Sequence, residues 1–183
     1  KEAESIDMLS ENIVLVNKKY LVDLAENGVM RIIQQSSVFV VKNRIFLTEN
    51  ALKELVIQEG QVVEEIEYSR DLPLCVLLQD CGQGRTGFIY SNGLATLAAS
   101  SDWTIIQRNK ICDSVQEAYP IHTSAVVIRS QYLVLIYHWG RNQILSTFRN
   151  PGMDAAYGSG FLFFYSVDDK IVPKQLSFYH DVQ

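Results

Sequence analysis

The sequence predicts an all-β protein, a barrel or a sandwich, and three observations carry that expectation. Short runs of Val, Ile, Leu, Phe and Tyr recur at about 8–12-residue spacing, the rhythm of many short strands. Turn signals separate several of them: Glu26-Asn27-Gly28, Ser91-Asn92-Gly93 and Asn150-Pro151-Gly152. Asn and Gly tolerate the positive φ that tight turns require. Apolar residues at helical spacing occur only in two short stretches, within residues 1–11 and 49–57.

Taken in order, residues 1–11 predict a short helix or arm. Residues 12–16 and 20–24 are apolar runs split by Asn17-Lys18-Lys19, and a strand is expected over 29–33. Residues 37–41 and 44–48 predict a hairpin, followed by one or two turns of helix over 49–57, where Leu52, Leu55 and Val56 share a helical face. Residues 61–68 read as an exposed strand and 72–78 as a buried one, with Pro73 confining its start to an edge or bulge. The glycine-rich 79–87 (QDCGQGRTG) predicts a break between two halves. Strands are then expected over 87–90, 94–98, 103–108, 124–129, 132–139, 143–148, 160–166 and 175–179. No repeat shows in the residues themselves.

Composition narrows the class. The 183 residues are 48% hydrophobic and 20% charged, which suits a packed domain and not a disordered chain. A net charge of −5 with scattered Lys and Arg argues against binding a nucleic-acid backbone. No apolar run approaches the roughly 20 residues of a membrane-spanning helix. The chain starts without Met or a signal-like segment, and is expected to be either processed from something larger or an excised piece. Cys75, Cys81 and Cys112 are odd in number and lack metal-type spacing; free thiols in a reducing intracellular compartment are expected. Three widely spaced histidines, His122, His138 and His180, make no zinc pattern, and no cofactor is implied. Gly82-Gln83-Gly84-Arg85-Thr86-Gly87 lacks the Lys-Ser/Thr and the helix of a phosphate loop.

Four pieces, in order, are similar to chymotrypsin-like proteases, the double β-barrel shared by trypsin, HtrA enzymes and picornavirus main proteases. SVFVVKNRIFLTENAL (37–52) resembles the hairpin and short helix that carry the catalytic His; DLPLCVLL (71–78) resembles the aspartate-plus-strand segment. LATLAASSDWTIIQRN (94–109) resembles the strand pair opening the second barrel, and YGSGFLFFY (157–165) the nucleophile turn and its strand. The resemblance implies two packed antiparallel β-barrels, 12–80 and 88–183, joined by a linker at 81–87. It implies Ser159 as nucleophile, Asp71 as orienting carboxylate, and Gly158 and Gly160 as hosts of an oxyanion hole. His180 would line a substrate pocket. The terminal Gln183 matches the residue after which picornavirus main proteases cut, so a viral polyprotein product is implied.

The family's His falls at Asn50 or Ala51, and no His precedes His122. A hydroxyl nucleophile without its base loses about 10³–10⁶ in rate. The expectation is therefore a catalytically degenerate, protease-like domain acting as a protein-binding or scaffolding module, with Asn50 in the vacated cleft. One alternative is an active serine- or cysteine-type peptidase in which His138 or His122 reaches Ser159 or Cys112. Another is a β-barrel that binds a small apolar ligand. His138, beside Trp139 and Arg141, suits a base or a ring stacked in a ligand site. The aromatics Phe161, Phe163, Phe164 and Tyr165, with Phe178 and Tyr179, suit core on one face and a partner-contact surface on the other. A looser resemblance, in DCGQGRTGF (80–88), SDWTIIQRN (101–109) and 125–141, is to exosortase-associated proteins of bacterial envelopes, whose His-Pro-x-x-Cys signature is absent from residues 90–97.

Overall fold

The computed structural model describes residues 4–34, 37–41, 43–48, 51–58, 61–70, 73–150, 154–158, 161–165 and 171–175. These residues are strands and turns, with no helix. They form four four-stranded antiparallel sheets and one three-stranded sheet, and in each sheet strands follow one another in chain order. The first sheet is β1 (Ile6–Met8), β2 (Ile13–Val16), β3 (Tyr20–Asp23) and β4 (Gly28–Ile32). The second is β5 (Val38–Val41), β6 (Arg44–Thr48), β7 (Ala51–Gln58) and β8 (Gln61–Arg70). The third is β9 (Cys75–Asp80), β10 (Arg85–Tyr90), β11 (Leu94–Ala99) and β12 (Ile105–Lys110). The fourth is β13 (Glu117–His122), β14 (Ala125–Arg129), β15 (Leu133–His138) and β16 (Gln143–Arg149). The fifth is β17 (Asp154–Gly158), β18 (Phe161–Tyr165) and β19 (Ile171–Gln175).

The mainly-β expectation holds. Closed barrels do not form among the described residues: the first and last strands of each sheet never pair. Two compact units result, Lys1–Leu78 and Gln79–Gln183, with the division inside β9.

The hairpin expected over 37–48 forms, as β5 and β6. Val41 pairs with Arg44, and Asn43 takes φ 62° in the turn, a conformation Asn accepts readily. The helix expected after it is instead strand β7, with Ile45 opposite Leu55 and Phe46 opposite Glu54. The buried Glu54 carboxylate explains the change: Arg44 donates to it through Nε at 2.6 Å and through its terminal nitrogen at 2.7 Å, a cross-strand pair that a helix would break. Of the expected N-terminal helix or arm, Ile6–Met8 is a strand paired to β2. The expected linker at 81–87 is a hairpin turn and the start of β10. There Cys81 N–H donates to the Arg85 carbonyl at 2.9 Å, and Arg85 N–H to the Gly82 carbonyl at 3.0 Å.

The first unit's core gathers Leu15 and Leu21 with Ile45 and Leu47, all essentially inaccessible. In the second, Ala125, Val127, Val134 and Ile136 fill one face of β14 and β15. The opposite face presents Val126 and Ile128, also inaccessible, so these two strands bury both sides. Their unbroken apolar runs follow from that double burial.

Every fourth strand carries a β-bulge against the third. Met30 is the extra residue of β4, Ile106 of β12 and Leu145 of β16, while β8 carries two, at Val63 and Tyr68. A bulge on a sheet's last strand bends and twists it, which discourages uncontrolled edge pairing. In the third and fourth sheets the break falls at equivalent places, between Leu97 and Ala98 and between Ile136 and Tyr137. The repeat is thus structural, and absent from residue identity: Ala98 stands where Tyr137 does.

Candidate binding surface

Within the second unit, two glutamines on opposite edges of the third sheet reach the fourth sheet at Trp139. The indole N–H of Trp139 donates to Gln79 Oε1 at 3.2 Å, and Gln79 Nε2 donates to the His122 carbonyl at 2.5 Å. Gln107 Nε2 donates to the Trp139 carbonyl at 2.7 Å. The Tyr137 hydroxyl donates to Asn142 Oδ1 at 2.5 Å, and its ring meets Trp139 edge-on with centroids 5.2 Å apart. A methyl group at Gly87 would lie 2.6 Å from the Trp139 ring and 2.8 Å from Cys81 Sγ, so the indole requires glycine there. Burial raises the Cys81 thiol and the Tyr137 hydroxyl each to about 12.

This arrangement assigns Trp139 to packing. At 1% exposure it has no face left for a ligand. His138 Nδ1 accepts the Arg141 backbone N–H at 3.1 Å, so the ring holds the turn after β15. Burial, then the charges of Arg141 and His122, push its pKa down and favour neutral imidazole. His122 ends strand β13. Its Nδ1 lies 2.8 Å from Ser124 Oγ and accepts the Ser124 N–H at 3.2 Å, within one exposed turn. The Cys112 thiol donates to the Ser114 carbonyl at 3.4 Å. Gly158 ends β17 opposite Phe161. Ser159, Asp71, Asn50, Gly160 and His180 lie outside the described residues. Among the described residues no three His, Cys, Asp or Glu side chains are grouped to hold a metal ion.

In the first unit, a cleft of about 490 Å³ opens beside Ser10, Asn12, Asp23 and Asn43, with Ile13 and Ile57 in its wall. Asp23 Oδ1 accepts the N–H groups of Ala25 and Glu26, which shapes the turn at its mouth.

Among the accessible apolar side chains, Val29 and Ile32 lie on β4, Ile105 and Ile106 on β12 and Ile144 on β16, all last strands; Ile6 and Met8 lie on the first strand β1, and Leu24, Leu74, Tyr132 and Leu133 lie elsewhere. β12 reads IIQRNK. Gln107 turns toward Trp139, and Arg108 and Lys110 alternate with it on the exposed side. Sequence reading placed a strand over 103–108 but did not assign it a surface role. The available signal was the change from apolar to alternating polar within one short strand.

No protein-family model matches the chain, and no curated protein matches it. Solved structures do. The computationally designed Ika8 protein aligns with TM-score 0.64 at 13% identity, over 93% of this chain and 57% of that one. Two structures of Hsv2 from Kluyveromyces lactis align at 0.61 and 0.57, with 12% and 13% identity, over 98% and 93% of this chain and 64% and 58% of theirs. The chain therefore spans roughly three-fifths of these neighbours. At such identity the likeness shows the fold alone: successive four-stranded meanders, the blades from which β-propellers are built. No helix among the described residues is long and apolar enough to cross a membrane.

Proposed function

We propose that this chain is a protein- or peptide-binding module that acts as a scaffold and does not turn over a substrate. The observation that carries the reading is the contrast between its polar side chains and its last strands. Gln79, Gln107, Tyr137 and His138 are bonded into the framework, whereas β4, β12 and β16 leave isoleucines and a valine in the open. Accessible aliphatic residues on strand edges suit contact with another chain. The sequence adds that no histidine stands where the protease resemblance requires one.

The test is a broad peptide library offered to the intact chain, read both for retention and for cleavage. Retention without cleavage is expected. Cleavage abolished by Ser159→Ala overturns the reading in favour of a peptidase. Absence of both retention and cleavage removes the peptide-binding reading altogether.

A further inference from the structure

Resting on that reading, we infer that β12 is the docking edge and that its partner is an acidic, extended peptide segment, added to the third sheet as a further antiparallel or parallel strand. β12 is the last strand of its sheet, with β11 as its one neighbour among the described residues, and its bulge at Ile106 leaves residues 107–110, which keep regular register, as the edge for pairing. Ile105 and Ile106 stand 49% and 53% exposed at its start. Arg108 and Lys110 follow on the exposed side.

The charges separate β12, with two cations, from β4, and β16 carries a single cation, Arg149. On β4, Arg31 is held by Glu65 of β8, which Lys53 of β7 also approaches at 3.7 Å. On β12, Arg108 makes no ion pair among the described residues, and the Lys110 ammonium reaches only the Asn92 carbonyl. The strand itself carries no acid. Between residues 79 and 150 there are six Lys or Arg and four Asp or Glu, so this stretch is net positive in a chain of net charge −5. A partner strand of alternating aliphatic and acidic residues matches that pattern: its main chain bonds to the β12 edge, its aliphatic groups cover Ile105 and Ile106, and its carboxylates meet Arg108 and Lys110. Each contact sits on an exposed rim, so the charges set selectivity and salt dependence more than depth of binding.

The test uses the intact chain and fluorescently labelled peptides of alternating Val and Glu, of alternating Val and Lys, and of Val and Glu with alternate backbone nitrogens methylated. Binding is followed by anisotropy at low salt, where the Debye length is long. The Val–Glu peptide is expected to bind. The Val–Lys and N-methylated peptides are expected not to. Arg108→Glu combined with Lys110→Glu is expected to weaken binding by about tenfold or more, which corresponds to about 1.4 kcal/mol. Arg149→Glu on β16 should leave it unchanged, and circular dichroism melting verifies that both variants fold. Equal binding of the Val–Lys peptide, or binding indifferent to Arg108 and Lys110, overturns the inference while leaving a peptide-binding module standing. Failure of every peptide, in this set and in the library above, removes both. Binding to vesicles containing phosphatidylserine that is lost in the same variant, with no peptide binding, assigns the edge to a lipid surface and overturns the inference.

Discussion

Trp139 closes its hydrogen bond on Gln79, a residue 60 positions earlier, at 3.2 Å. Gln79 is itself buried and spends its other side-chain atom on the His122 carbonyl. One amide thus satisfies two groups of a neighbouring sheet, the indole N–H in a buried bond and the His122 carbonyl in a part-buried one. Gln79→Leu, similar in size but unable to bond, leaves the indole N–H and the carbonyl unpaired. The expected loss is about 1–3 kcal/mol in urea unfolding. A loss under about 0.5 kcal/mol would mean the bond contributes nothing net.

Three glycines rank a steric series. Gly93 takes φ 79°, and a methyl there would sit 1.9 Å from the Cys112 carbonyl oxygen. Gly87 meets the buried Trp139 ring and Cys81 Sγ, side chains and not backbone, at 2.6–2.8 Å. Gly82 has φ 71° but open space. Alanine should therefore cost most at Gly93. At Gly87 it should cost about 1–3 kcal/mol, and at Gly82 only the left-handed penalty of about 1–2 kcal/mol. Thermal melting of the three variants checks the order, and Gly93 emerging as the mildest would contradict it.

The thiols predict an alkaline limit. The Cys81 pKa is about 12 in the folded chain against an ordinary 9.0, and that of Tyr137 about 12 against 10.0. The folded state keeps these protons while the unfolded state releases them, so stability is full below pH 9 and falls as pH rises toward 12. Cys81→Ser should flatten the first part of that decline and Tyr137→Phe the part above pH 10. With a thiol-alkylating reagent, half-exposed Cys112 should react in the native chain well before Cys81.

At the acid end His138 works in the opposite direction. Its pKa lies below the ordinary 6.5, so the unfolded chain takes up the proton first and stability falls as pH drops through 6.5. His138→Gln should remove part of that fall. An imidazole titration by NMR giving His138 a pKa above that of a free histidine would contradict it.

The strands of residues 85–110 were readable because apolar runs and Asn-Gly turns mark them locally. Five strands were not: β1 and β7 were expected as helix or arm, β13 and β17 were not expected at all, and β19 (Ile171–Gln175) was expected at 175–179. β13 contains Pro120 and ends in His122, both loop-like by composition, and Pro120 is tolerated because β13 is a sheet edge with a register break beside it. β17 is hidden in DAAYG, which lacks β-branched residues. β7 imitated a helix because Leu52 and Leu55 are three apart, and only the Arg44–Glu54 pairing reveals that Glu54 points inward. The grouping of strands into fours was beyond local reading altogether, since it depends on which hairpins share an edge. Of the candidate site, Trp139 and His138 stood out by residue type, but their roles follow from Gln79 and Arg141, whose chemistry is unremarkable in isolation.

Strands that pair only with their chain neighbours also set an order of assembly. Each meander can complete its hydrogen bonding as soon as its last strand has been synthesised, without waiting for distant sequence. Loop closure within a sheet is short and entropically inexpensive, so a nascent chain can secure one sheet at a time as it leaves the ribosome. The slow step is then the docking of finished sheets, and Gln79 and Gln107 act in that step: their partners lie on a sheet made later.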